Sequence, residues 1–225
     1  MPTPTKPALR ITQRDYKFAV TAGLLIGLLL LPTLKINKPD LFIKFWPAIV
    51  PFFLLATPIG LRIAFLIGKK IAVIYQIAKF GIIGVLNVLV DLGALSLITI
   101  FFSAQFQIKN ETAMIGAITF YSLFKATSFI IANINSYFWN KHWTFNQGKK
   151  KQTKSEFVQF FAVSAIGFLI NVAVATTVFK LIVGSRLNLG DVQLAQIGTI
   201  GAAAGSIVGL AWNFIGYKLW VFKAR

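Results

Sequence analysis

Two opposite charges lie inside apolar stretches of this chain, where ionisable side chains are rare. Asp91 falls within an apolar run over residues 80–102, and Lys125 falls near the middle of a run over residues 113–139. An isolated charge at the centre of a bilayer costs about 3 kcal/mol or more on insertion scales. Because a short connection joins the two runs, they should be antiparallel, and we predict an ion pair. Such a pair either locks two helices together or forms the floor of a polar site, and we favour the second role.

Further polar side chains follow these charges at helical spacing. Asn87 lies one turn from Asp91, and Ser128 and Asn135 share a helical face with Lys125. We predict that they line a groove open to the cytoplasm. Taken singly, each asparagine is equally consistent with a hydrogen bond between helices.

The motif Lys-x-Trp-x-Phe occurs twice, each time at the end of an apolar run. The first motif is Lys141-His-Trp-Thr-Phe145 and the second motif is Lys218-Leu-Trp-Val-Phe222. A cation beside an indole is typical of an aromatic belt with snorkelling lysines, and it also suits capture of a lipid phosphate. We therefore expect both motifs at the membrane boundary, with either role open.

The spacing upstream of the two motifs also matches. The intervals between Phe80, Gly84, Asn87 and Asp91 are the same as those between Phe160, Ser164, Gly167 and Asn171. We predict a duplication with repeats over about residues 79–145 and 157–222. In the second copy Asn171 replaces Asp91 and Ala202 replaces Lys125, so the copy keeps polarity but loses charge.

The composition places the chain in a membrane. Of its 225 residues 56% are hydrophobic and 13% are charged, and the mean hydropathy is +0.73. This leaves too little polar surface to coat a soluble globule. The net charge of +17 is concentrated at the ends of apolar runs, which favours anionic membrane lipids over nucleic acid as partners. With no cysteine and one histidine, disulfides and His/Cys metal clusters are excluded, and we expect neither a metal nor a cofactor.

The apolar runs predict an all-α integral membrane protein with six transmembrane helices. The predicted spans cover residues 18–34, 45–67, 80–102, 113–139, 157–183 and 195–217. Residues 1–76 would form a basic cytoplasmic tail, an accessory two-helix hairpin and an interfacial segment that begins near residue 68. Residues 77–225 would form a four-helix core of two two-helix repeats, which share one orientation because each contains an even number of spans.

The basic residues predict the orientation. Fifteen Lys and Arg residues fall in the tails and loops of one side, against five in the alternate loops. By the positive-inside rule, both termini are cytoplasmic. Within the last span, Gly201, Gly205 and Gly209 form a small-residue stripe, which predicts close helix packing or a dimer contact.

Signals for enzyme chemistry are missing. There is no Gly-rich nucleotide loop and no aqueous carboxylate pair, and His142 has no acidic neighbour in sequence. Five of the six acids are assigned to tails or connections: Asp15, Asp40, Glu111, Glu156 and Asp191. We predict that the protein is not an enzyme.

Three segments together resemble the GtrA-like family of small bacterial membrane proteins over about residues 77–223. They are Lys79-Phe-Gly-Ile-Ile-Gly-Val-Leu-Asn-Val-Leu-Val-Asp91, Asn135-Ser-Tyr-Phe-Trp-Asn-Lys-His-Trp-Thr-Phe145 and Trp212-Asn-Phe-Ile-Gly-Tyr-Lys-Leu-Trp-Val-Phe222. Their order and spacing match the family's pattern. The first 76 residues lie outside the resemblance, so the accessory hairpin is a departure from it.

The resemblance implies translocation (flipping) of a polyprenyl-phosphate-linked monosaccharide across the bacterial cytoplasmic membrane, for glycosylation of cell-surface polysaccharides. On this hypothesis, Lys141 and Lys218 receive the phosphate and Lys125 guides it past the midplane. The sugar hydroxyls contact Asn87, Asp91, Asn135 and Asn171. The remaining predicted substrate-binding residues are Ser128, Trp143, Asn213 and Trp220.

Two other functions compete with translocation. A non-transporting scaffold that recruits a membrane glycosyltransferase would use the basic surface and the extra hairpin, and it predicts dispensable intramembrane charges. A proton-coupled exporter of small cations is disfavoured, because Lys125 would repel the cation beside Asp91. A homo-oligomer is left open.

Overall fold

The computed structural model describes residues 9–108, 112–115, 118–148, 153–184 and 194–223. In these ranges the chain forms six α-helices and one short β-hairpin. The helices are α1 (Gln13–Asn37), α2 (Pro39–Gly68), α3 (Ala72–Phe106), α4 (Phe120–Trp139), α5 (Lys154–Gly184) and α6 (Leu194–Gly216), and the strands are β1 (Ala113–Ile115) and β2 (Ile118–Thr119). A π-helical turn follows α4 at Asn140–Thr144, and a second follows α6 at Tyr217–Val221.

The chain divides into two compact units, residues 1–148 and 149–225. The division falls between the two predicted repeats, and the N-terminal hairpin belongs to the first unit. The domain boundary that we predicted near residue 76 stays a prediction. Predicted loop residues Lys109, Glu111, Arg186 and Asp191, and the first eight residues of the tail, lie outside the described ranges.

Five stretches of the described chain are long and apolar enough to cross a membrane. They are Gln13–Ile36, Pro39–Gly68, Ala72–Phe106, Lys154–Gly184 and Ile200–Val221. Large apolar side chains on these helices point outward, and Val88 and Leu97 are 59% and 71% exposed. Such a surface is typical of helices that face lipid. The protein is therefore a multi-pass membrane protein.

The sixth crossing, predicted over residues 113–139, is not confirmed. The chain first forms the antiparallel pair of β1 and β2, and α4 begins only at Phe120. With 20 residues α4 is about 30 Å long. Because it carries many polar side chains, it is not one of the five stretches that are apolar enough to cross a membrane. These side chains are Ser122, Lys125, Thr127, Ser128, Asn133, Asn135 and Ser136. Lys125 thus lies in the second turn of a helix, and not near the middle of a helical span as we predicted.

In the first unit α1 packs against α2, and both contact α3, which pairs with α4. Close approach of α1 and α2 requires glycine, because a Cβ added to Gly23 would lie 2.3 Å from the carbonyl oxygen of Phe53. The buried core between these helices includes the aromatic Tyr75 and Trp143 and is made mostly of small and aliphatic side chains: Ala19, Ala22, Ile26, Leu61, Ala64, Ile83, Leu86 and Leu89. The segment that we predicted as interfacial continues directly into α3, which begins at Ala72.

In the second unit the glycine stripe of α6 packs against α5. Cβ atoms added to Gly201, Gly205 and Gly209 would lie 2.7, 2.3 and 2.9 Å from backbone oxygens of α5. Only glycine allows such an approach between helices. The predicted close packing is confirmed within this unit.

Candidate functional site

The predicted ion pair between α3 and α4 is present. Lys125 Nζ contacts Asp91 Oδ2, and the Ser128 hydroxyl lies 2.6 Å from Asp91 Oδ1. The side chains of Lys125 and Asp91 remain 40% and 21% exposed. The carboxylate is therefore held from two sides, yet the pair is not sealed inside the protein.

One helical turn away, a second polar contact joins the same helices. Asn135 Nδ2 lies 3.4 Å from Asn87 Oδ1, which is a long hydrogen bond, and both side chains are half-buried. The structure thus brings Asn87, Asp91, Lys125, Ser128 and Asn135 together along the contact of α3 and α4. Their binding of substrate stays a prediction.

The first Lys-x-Trp-x-Phe motif is buried, and its position at a membrane boundary stays a prediction. Lys141 and Trp143 are 3% and 2% exposed. Lys141 Nζ donates to the Tyr137 hydroxyl at 3.3 Å. The Trp143 indole donates to Asp15 Oδ1 at 3.1 Å and stacks on Phe18 with ring centroids 5.7 Å apart. These two side chains therefore stabilise the first unit from inside, and a role for them in phosphate capture stays a prediction.

The second motif is open. Lys218 is exposed, with its ammonium 5.5 Å from the centroid of the Phe214 ring. Trp220 is 47% exposed and makes an edge contact with Trp212 at 5.3 Å. A cation and an indole are thus both accessible in the second motif, and its position at a membrane boundary stays a prediction.

Both motifs lie on π-helical turns in the same register. The Phe145 amide donates to the Asn140 carbonyl at 2.9 Å, and the Phe222 amide donates to the Tyr217 carbonyl at 2.7 Å. Each bond spans five residues, which is the π-helical pattern and is rare in proteins. The sequence repeat therefore corresponds to a shared local backbone geometry.

The second unit lacks a charged pair at the corresponding place in its described residues. Asn171, half-buried on α5, lies against the glycine stripe of α6, and its backbone oxygen faces Gly205. Asn213 packs onto Gly167, where a Cβ would lie 2.1 Å from its Oδ1. That Oδ1 is buried without a hydrogen-bond partner among the described residues.

Sequence reasoning missed Asp15, which we assigned to the tail. Thr12 caps α1, and Asp15 accepts from the Thr12 amide at 3.0 Å, so that the two form a capping box. Asp15 is 7% exposed and also contacts Lys79 Nζ and the Trp143 indole. The pattern Thr-x-x-Asp before an apolar run signals a helix start and could have placed Asp15 in the helix.

A cavity of about 350 Å³ lies beside Asp15 in the first unit. Its walls come from the start of α1, the start of α3 and the first π-turn. The lining residues are Leu9, Arg10, Thr12, Arg14, Asp15, Ala72, Tyr75, Gln76, Lys79, His142, Trp143, Thr144, Phe145 and Asn146. Over the described ranges, no three His, Asp or Glu side chains come close enough to hold a metal ion.

Comparisons with known proteins place most of this geometry in a recognised domain. The family model for the GtrA/DPMS transmembrane domain matches residues 79–222. The chain is 30% identical over 151 residues to the "Uncharacterized membrane protein YngA" of Bacillus subtilis (strain 168), covering 66% of this chain and 80% of that protein. No solved structure matches the chain. The family match includes both motifs and the Asp91–Lys125 pair, and it leaves α1 and Asp15 outside.

Proposed function

This chain belongs to the GtrA/DPMS transmembrane-domain family, and on that premise we propose that it translocates a polyprenyl-phosphate-linked monosaccharide from the cytoplasmic to the outer leaflet of the bacterial cytoplasmic membrane. The family implies a membrane protein involved in handling lipid-linked sugars. Flipping, the polyprenyl carrier and a role in cell-surface polysaccharide glycosylation are our extension. The proposal assigns no catalysis to the chain, in line with a family that is generally non-enzymatic.

The observation that carries the proposal is the partly exposed pair of Asp91 and Lys125. A purely structural ion pair gains little over apolar packing, because the cost of taking two charges out of water offsets most of their attraction. Here the side chains remain 21% and 40% exposed, so each charge is accessible to a substrate group. An ammonium suits a phosphate, and a carboxylate accepts hydrogen bonds from sugar hydroxyls.

The polar side chains around this pair supply the rest of the headgroup route. Ser128 holds Asp91 in place, and the Asn87–Asn135 contact extends the polar face by one turn. During passage, Lys125 would exchange Asp91 for the phosphate while Asp91 turns to the sugar. The polyprenyl tail would stay in lipid, beside outward apolar side chains such as Val88.

We assign a smaller part to the second repeat. Lys218 and Trp220 are the open motif, so they are the residues that we propose for phosphate and sugar contact at the boundary. Asn171 and Asn213 would contact hydroxyl groups within that repeat. Lys141 and Trp143 would take part only after leaving their buried positions.

The proposed topology has six crossings, with α4 as the sixth, two repeats of like orientation and both termini in the cytoplasm. The 20-residue length of α4 supports its crossing, since about 30 Å matches a hydrocarbon core. The excess of cations on one side supports the orientation. Anionic lipids are the partners that this distribution favours.

A scaffold that recruits a membrane glycosyltransferase is the second candidate. The observation that favours it is the α1–α2 hairpin, which lies outside the family match and carries the exposed aromatic residues Trp46 and Phe52, at 54% and 61%. A scaffold needs no exchange of charges between α3 and α4. The two candidates therefore differ in what they predict for Asp91.

Reconstitution into liposomes tests the proposal. The purified chain would be placed in neutral-lipid vesicles that carry a polyprenyl-phosphate monosaccharide in one leaflet, and movement to the other leaflet would be measured. We expect protein-dependent movement that falls at least about tenfold in Asp91→Asn and Lys125→Met, the change that one lost charge-assisted contact of about 1.4 kcal/mol produces. Asp40→Asn, at an exposed acid of α2, is the matched control.

The contrary result is equally clear. If wild-type vesicles move no lipid-linked sugar above empty vesicles, across several sugars, translocation is wrong and the scaffold becomes the better reading. If wild type translocates and both variants match it, the chain is a translocase and our assignment of its site is wrong.

A further inference from the structure

The cavity beside Asp15 joins residues from three separate parts of the first unit. Arg10 lies just before α1 and Arg14 in its first turn, Lys79 comes from the first turns of α3, and His142 and Asn146 come from the first π-turn and the residues after it. Its volume of about 350 Å³ is at the lower end of the range for small-molecule sites. A single phosphate ester group with part of its substituent fits that space.

The charge of the lining is positive. Arg10, Arg14 and Lys79 face one acid, Asp15. Asp15 is already satisfied by Lys79, the Trp143 indole and the Thr12 amide. An incoming anion therefore meets a neutralised carboxylate and two guanidinium groups.

The two arginines differ in how they are held. Arg14 donates to the His142 carbonyl at 2.6 Å and to Asn146 Oδ1 at 3.3 Å, so its guanidinium is fixed at the cavity. Asn146 adopts a φ of 52°, a left-handed conformation that asparagine tolerates. Arg10 is exposed and makes no hydrogen bond or ion pair with any residue that the structure describes. None of its five donors is used by a described residue, so they can serve a ligand.

We propose that this cavity binds a phosphate ester, with Arg10 as its main contact and Arg14 as a pre-positioned second charge. A guanidinium binds a phosphate through two parallel hydrogen bonds, which a free Arg10 offers. The start of α1 adds a favourable helix dipole. Gln76, whose amide donates to the Thr144 carbonyl at 3.2 Å, holds the opposite wall in place.

The site goes beyond the family domain, because Arg10 and Arg14 lie before residue 79, where the family match begins. Its ligand is either the headgroup of a phosphorylated lipid or a soluble phosphate ester. If the ligand is the lipid, the inference rests on the proposed function and adds a first binding position for the headgroup, supplied by the accessory segment.

Binding measured on the full chain tests the site. The protein would be placed in nanodiscs of phosphatidylcholine and titrated with glucose 1-phosphate, and in a second arm the discs would carry a polyprenyl phosphate. We expect saturable binding in at least one arm, weakened about tenfold or more by Arg10→Gln and less by Arg10→Lys, which keeps the charge but loses the two parallel hydrogen bonds. Lys17→Gln removes one exposed charge from α1, the helix that follows Arg10, at a position outside the cavity, and it should bind like wild type.

The arms identify the source of the ligand. Binding confined to the lipid arm assigns the cavity to a membrane headgroup, and binding of glucose 1-phosphate assigns it to a soluble ester. No binding in either arm, or equal affinity of Arg10→Gln and wild type, overturns the inference. If Arg10→Gln binds and translocates like wild type, the cavity is rejected and the proposed function stands. If Arg10→Gln loses binding but wild type shows no translocation, the cavity stands and the proposed function is rejected.

Discussion

The two Lys-x-Trp-x-Phe motifs share a sequence and a π-helical backbone, but they have opposite surroundings. Trp143 is 2% exposed and bound to Asp15, whereas Trp220 is 47% exposed. The difference comes from α1, which supplies Asp15 and Phe18 to the first motif. In the described residues of the second unit, only α5, α6 and the second π-turn are present. The same sequence motif is thus buried in the first unit and accessible in the second.

The two pairs of helices also differ in how they contact each other. In the first unit α3 and α4 meet through a charged pair, and in the second unit α5 and α6 meet through glycines and backbone oxygens. Charges between helices are costly in lipid and are kept where they have a function. We therefore expect the first unit to carry most of the substrate route and the second to supply rigid packing and a smaller set of substrate contacts.

The largest effect should come from Asp15→Ala, which removes the carboxylate from Lys79, Trp143 and Thr12 together. Loss of one partner from a buried ion pair costs about 3–5 kcal/mol, because the other charge stays buried and unpaired. We expect a loss of that size in the free energy of unfolding, measured by denaturant titration in detergent. Asp40→Ala, at an exposed acid, is the control and should change stability little.

A double variant checks that the cost comes from the orphaned ammonium. Asp15→Ala combined with Lys79→Met removes both charges, so it should recover part of the stability lost in Asp15→Ala. If Asp15→Ala unfolds at the same denaturant concentration as wild type, α1 does not hold the first motif in the way that we describe.

A smaller effect should distinguish the two indoles directly. Trp143→Phe keeps an aromatic ring but loses the hydrogen bond to Asp15, and a hydrogen bond to a charged group contributes about 1.5–3 kcal/mol. Trp220→Phe changes an exposed ring, so it should alter stability by about 0.5 kcal/mol or less. Unfolding in the same detergent would compare them. Equal losses in the two variants would show that the two motifs have equivalent roles in stability.

In the second unit, Gly205→Ala should lower the free energy of unfolding by about 1–3 kcal/mol, the usual cost of overpacking. The added Cβ would lie 2.3 Å from the Asn171 carbonyl oxygen, so α5 and α6 must separate. Gly198→Ala is the matched control on the same helix, because nothing lies within 4 Å of its Cβ position. Both variants would be compared by thermal unfolding. A Gly205→Ala protein as stable as Gly198→Ala would contradict the close packing.

Much of the site was predictable where its signal lies within one helix or between neighbouring helices. Asp91 and Lys125 stand out because they interrupt apolar runs, and a short connection makes their helices antiparallel. The glycine stripe of α6 signals close packing through its four-residue spacing alone. The π-turns were not predicted as such, but the repeated motif identified their positions.

The rest depends on contacts that sequence spacing does not encode. Asp15 and Trp143 are 128 residues apart, and no periodicity relates them. The burial of the first motif follows from that contact. The motif's sequence could not predict this burial, because the second motif has the same sequence pattern and is exposed. The late start of α4 was missed because the apolar composition of residues 113–119 fits a strand as well as a helix.

The central claim is that α1 buries the first motif while the second stays open, and cysteine labelling tests it most directly. The chain has no cysteine, so Lys141→Cys and Lys218→Cys each introduce a single thiol. The rate of reaction with a hydrophilic maleimide would be measured in detergent and divided by the rate for the same denatured chain. We predict that the residue 218 thiol reacts at least about tenfold faster, a difference of about 1.4 kcal/mol in accessibility. Equal normalised rates would contradict the account.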